Sequence, residues 1–170
     1  MDQNDIKNLP RNDQILLGVG ILAFIASFFP FWGVSYSGPE AGLLGGSGSS
    51  SVSAWHSYGT LGVLLIIAAT ALSAVLVFGR SSLPEIPVSW NVVLVGLSAL
   101  GTILIILRGF TYDSGSIGPL DYGLRWGAYV LMILCLAQTA LAFLRFRATG
   151  EPMPWASQGG AATPPAAPPA

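Results

Sequence analysis

Residues 57–78 read SYGTLGVLLIIAATALSAVLVF, 22 positions without an acidic or basic side chain. A helix rises about 1.5 Å per residue, so this stretch reaches across a hydrocarbon core of about 30 Å. Residues 14–32, 88–107 and 126–144 are of the same kind, apolar throughout and free of charge. Lipid offers no water to backbone N–H and C=O groups, so a spanning segment satisfies them within a helix or a closed barrel. These runs are continuously apolar rather than alternating, which selects helices. The expected fold is an all-α membrane protein, an antiparallel bundle of four transmembrane helices.

Composition supports lipid as the solvent. Of 170 residues, 52% are hydrophobic and 9% are charged, against about a quarter charged in a typical soluble domain. The net charge of −1 gives no general attraction to nucleic acid, which is not expected as a partner. The single cysteine, Cys135, cannot form an internal disulfide, and the single histidine, His56, cannot build a multi-histidine metal site. No metal, cofactor or catalytic residue is expected, and the chain does not read as an enzyme.

The first run follows Lys7 and Arg11, as a signal peptide would, but it outlasts the usual apolar core of a signal. It ends in Phe28, Phe29, Pro30, Phe31 and Trp32, a cluster that reads as an interfacial helix end. Four crossings place both termini on one side. Lys7, Arg11, Arg80, Arg145 and Arg147 then share a face, while Arg108 and Arg125 lie on the other. The positive-inside rule makes the first face cytoplasmic, in the plasma membrane. The division is a cytoplasmic segment 1–13, a transmembrane domain 14–147, and a disordered Pro/Ala-rich cytoplasmic tail 148–170. An outer aromatic belt is expected at Phe31, Trp32, Trp55, Tyr58, Phe110, Tyr122, Trp126 and Tyr129. The Gly/Ser-rich connection 33–56 is expected to be flexible, and the connection 109–123 to be ordered.

No ionisable side chain lies in the core of a span, which weighs against ion-coupled transport. Two sets of residues remain. Gln138 needs a partner in lipid, and Ala128, Cys135 and Ala142 recur every seven residues, with Thr139 beside them. This seam serves close helix packing or partner contact, within one chain or between protomers. On the outer face, His56, Asp113, Asp121 and Arg125 form a candidate polar site; the plainer reading is solvated loop charges. Asp121 and Arg125 pair across one turn if the fourth helix starts early enough.

The chain resembles small four-span integral membrane proteins of actinomycetes. The resemblance rests on Ser27-Phe28-Phe29-Pro30-Phe31-Trp32 and the Gly/Ser loop after it. Further on it rests on Tyr122-Gly123-Leu124-Arg125-Trp126-Gly127-Ala128-Tyr129, then Gln138, Phe143, Arg145 to Arg147 and the Pro/Ala tail. It implies a cell-envelope location and no activity. The expected role is that of a non-enzymatic scaffold or accessory subunit, acting through helix packing and through binding to itself or to other membrane proteins. The alternatives are an oligomeric transporter or channel component and an outer-face membrane enzyme.

Overall fold

The computed structural model describes residues 10–36, 48–78, 84, 88–112, 114–118 and 120–150. The expectations for Lys7, Arg80, Asp113 and the tail beyond Gly150 fall outside these residues. In chain order the elements are α1 (Arg11–Ala26), β1 (Trp32–Tyr36), β2 (Gly48–Val52), α2 (Gly59–Phe78), α3 (Trp90–Thr111), β3 (Gly115–Ile117), β4 (Leu120–Leu124) and α4 (Trp126–Ala148).

This corrects the all-α expectation. The chain carries a four-stranded antiparallel sheet of order β2-β1-β4-β3. Its two halves come from the two connections at one end of the helices. β1 pairs with β2 through Trp32↔Val52 to Tyr36↔Gly48, and with β4 through Trp32↔Leu124 to Tyr36↔Leu120. The Gly/Ser stretch was expected to be flexible because it lacks apolar area. Backbone pairing needs none, and residues 48–52 borrow a partner strand from β1.

The number of spans is corrected too. Among the described residues three helices, α2, α3 and α4, are long and apolar enough to cross a membrane. α1, at 16 residues, stops short. The Ser27 hydroxyl bonds the Phe24 carbonyl at 2.6 Å, and Pro30 brings no N–H, so the first run turns instead of continuing. Phe31 N then donates to the Val52 carbonyl at 2.8 Å and the chain enters the sheet. Phe31, expected in the aromatic belt, is instead core, 1% exposed.

α1 lies antiparallel to α4 along its length. Asp13 meets Arg145 at one end, and Phe29 packs on Trp126 at the other. α2 and α3 approach closely where Gly62 faces Gly101; a Cβ on Gly101 would lie 3.0 Å from the Gly62 carbonyl oxygen. α3 opens on a Ser89 cap, whose side chain accepts from Asn91 N.

In the core of the bundle small and polar residues are interleaved with large ones such as Leu16, Ile66, Leu94, Ile105 and Leu131, while the perimeter is large and apolar. Buried inside are Ala23, Ala69, Ala128, Ala142, Ser73, Ser98 and Thr102; exposed outside are Ile21, Leu22, Leu61, Ile103, Ile133 and Leu144. About a third (33%) of the residues in the most apolar stretch of each long helix are buried, and those on the outward side, such as Leu61, Ile103 and Ile133, are apolar too. A water-soluble bundle carries polar side chains on that side.

Candidate functional site at the sheet-bearing end

Side chains alternate across a strand, and the pairing register carries that alternation over the whole sheet. One face holds Trp32, Val34, Tyr36, Val52, Leu120, Tyr122, Leu124 and Ile117, with Gly48, Ser50 and Gly115 among them; the other holds Gly33, Ser35, Ser49, Ser51, Ser116, Asp121 and Gly123. The sheet is therefore amphipathic.

The apolar face is fastened to the helices at its base. Trp32 stacks on Tyr112, with ring centroids 5.0 Å apart and planes 17° apart. Arg108 and Tyr112 are one turn apart at the end of α3, so their side chains are neighbours. The Arg108 guanidinium lies 3.7 Å from the Tyr112 ring centroid and 5.0 Å from that of Tyr58. It also donates to the Tyr112 hydroxyl, and the Tyr58 and Thr111 hydroxyls are bonded to each other. Among the described residues no carboxylate pairs with Arg108. The rings provide its counter-field, about 0.5–2 kcal/mol for such a contact, and the negative end of the α3 dipole adds to it. The cluster thus links β1, α2 and α3.

The polar face carries the outer residues singled out in the sequence. Arg125 caps α4, and its Nε sits 2.9 Å from where a Cβ on Gly33 would be, so glycine there makes room for the guanidinium. Asp121 is exposed on β4, and its carbonyl accepts from the Ser35 hydroxyl at 3.4 Å. His56 is exposed in the turn before α2. No hydrogen bond or ion pair joins His56, Asp121 and Arg125, and Asp113 lies outside the described residues. The expected helical pair of Asp121 and Arg125 is corrected, because Asp121 is in a strand and α4 begins only at Trp126. Among the described residues no group of three His, Cys, Asp or Glu gathers into a metal-sized cluster.

The second set of residues lies inside the bundle. Ala128, Cys135 and Ala142 are 0% exposed and Gln138 is 1% exposed, so the seam faces the chain's own helices. Gln138 Nε2 donates to the Thr70 hydroxyl at 3.1 Å and to the Ile66 carbonyl at 3.3 Å, tying α4 to α2. The Thr102 and Thr139 hydroxyls meet at 2.9 Å, and each lies 3.0 Å from the Cys135 carbonyl, tying α4 to α3. Gln138 Oε1 and Ser98 Oγ are buried without a hydrogen-bond partner. Sequence reading missed Thr70 and the Tyr58/Tyr112 pair. The four-residue spacing of Arg108 and Tyr112 was the available signal for the latter.

The chain matches no protein-family model, no curated protein and no solved structure.

Proposed function

We propose that the chain is a non-catalytic, multi-pass protein of the cell membrane, whose helices anchor the sheet as a recognition platform on the outer side. In this reading it is a scaffold or accessory subunit, and its partner is another membrane protein or a second copy. The observation that carries the reading is the sheet itself. Two connections separated by more than sixty residues of helix and turn converge on one four-stranded surface, whose outer strands β2 and β3 have free edges among the described residues. Such edges and polar faces are surfaces on which other chains pair.

The membrane reading is supported by the apolar perimeter and by small residues where helices approach closely, as at Gly62 and Gly101, an arrangement that lipid favours. The orientation is supported by charge. Asp13 and Arg145 bring the two ends of the described chain together, opposite the sheet. Arg145 and Arg147 lie in the last turn of α4, opposite the sheet, so the positive-inside rule makes that end cytoplasmic.

The test is photo-crosslinking in cells from Ser49 and Ser116 on the sheet, with Ile133 on the outward face of α4 as reference. Discrete protein adducts from the two sheet positions, absent from Ile133, are expected. No adduct from either sheet position ends the platform reading. A second reading, a transport component, is favoured by the unpartnered Gln138 Oε1 and Ser98 Oγ in the interior. It requires solute flux in reconstituted vesicles that disappears on Gln138→Leu.

A further inference from the structure

Among the described residues the apolar face of the sheet is covered only at its base. There Trp32 and Leu124 pack into the core beside Tyr112. Toward the tips of the strands the same face continues through Val34 and Tyr122 to Tyr36, Leu120 and Ile117. Ile117 is 66% exposed and Leu120 is 40% exposed, and the two are cross-strand partners on β3 and β4. Phe110, in the last turn of α3 just before this hairpin, is 83% exposed. Among the described residues the carboxylate and the guanidinium of the sheet region, Asp121 and Arg125, belong to the opposite face.

We propose that this overhanging apolar edge, Ile117 and Leu120 together with Phe110, rests in the headgroup region of the membrane that holds the helices. The sheet then leans on the bilayer beside α3 instead of standing free in water. The inference rests on the membrane reading given above.

Three observations select lipid over a protein partner. First, the face that lies against the end of α3 at its base is the face that is apolar further out. Second, the area is small. Large apolar side chains offer about 200 Å² each, so these three at their exposures present on the order of 400 Å². That is about half of the roughly 800 Å² per partner of a stable protein interface. Third, among the described residues the edge carries no charge, and two tyrosines, Tyr36 and Tyr122, lie beside it on adjacent strands. Amphipathic rings flanking aliphatic side chains suit the headgroup level.

The experiment uses the full chain in lipid nanodiscs. Cys135, the natural thiol, is replaced in Cys135→Ala, and single cysteines at Ile117, Leu120, Ser116 and Ile133 carry a nitroxide. Collision with oxygen, which concentrates in lipid, is compared with collision with a nickel chelate, which stays in water. Labels at 117 and 120 are expected to be dominated by oxygen, though less than the label at 133, and the label at 116 by the chelate. Chelate dominance at 117 with oxygen dominance at 133 overturns the inference and leaves the membrane reading intact. Chelate dominance at 133 removes the membrane reading itself. A label at 117 shielded from both reagents indicates a protein contact, a second copy above all, and also overturns the inference.

Discussion

Replacing Gln138 by leucine separates a packing role from a conducting one. The side chain loses two hydrogen bonds, to Thr70 Oγ1 and the Ile66 carbonyl. Bonds of this kind between membrane helices average about 0.6 kcal/mol each, so the loss is about 1.2 kcal/mol. The same substitution removes Oε1, which is buried without a partner. An unsatisfied buried polar atom costs about 1–3 kcal/mol, so its removal offsets the loss. No new orphan arises, because the Thr70 hydroxyl still donates to the Ile66 carbonyl at 2.8 Å. Gln138→Leu is therefore expected within about 1 kcal/mol of the parent, or slightly more stable. Gln138→Ala keeps the polar loss and adds a cavity at a 1% exposed site. Large-to-small core changes cost about 2–5 kcal/mol, so the alanine variant should fall at least about 2 kcal/mol below the leucine variant. Reversible unfolding in mixed micelles, titrated with a denaturing detergent, measures both. Gln138→Leu at or below Gln138→Ala would refute the reasoning and mark the amide as worth far more than its visible bonds.

Further outcomes follow from particular contacts. Asp13→Ala leaves Arg145, whose side chain is 14% exposed, without its carboxylate. A loss of about 1–3 kcal/mol is expected, below the range for fully buried pairs because both groups retain some solvent. Asp13→Ala/Arg145→Met should recover much of it in the same unfolding assay. Gly127→Ala would place a Cβ 2.5 Å from the Pro30 carbonyl oxygen, where backbone cannot yield as a side chain would. A cost of about 1–3 kcal/mol is expected, with faster hydrogen exchange in β1 and β4. Arg108→Gln removes the cation from between Tyr58 and Tyr112. About 0.5–2 kcal/mol is at stake, and exchange should rise in β1 before the helices change.

The helices were legible because each long one is continuously apolar over a length sufficient to cross a membrane. Gln138 was legible for the same reason, since an amide in an apolar run must find a partner; which partner was not, because Thr70 lies on another helix. The sheet was not legible. Gly48 to Val52 is nearly all glycine and serine, and its strand exists through pairing with residues elsewhere in the chain. Composition cannot report such a partner. The alternation in Leu120 to Leu124 was visible in principle. It was passed over because the segment before Trp126 was taken as a connection, in which Asp121 and Arg125 would pair only if the fourth helix started early. Pro30 was read as a helix end, correctly in kind, but the run was carried six residues past Ala26 because Phe31 and Trp32 are as apolar as a span.

The account stands most directly on where the sheet lies relative to the membrane. In a Cys135→Ala background, single cysteines replace Ser49 on β2 and Thr149 after α4, both exposed. A membrane-impermeant maleimide is then applied to intact cells and to permeabilised cells. The account predicts labelling at position 49 in intact cells and at position 149 only after permeabilisation. Labelling at 149 in intact cells, with 49 protected, would contradict it.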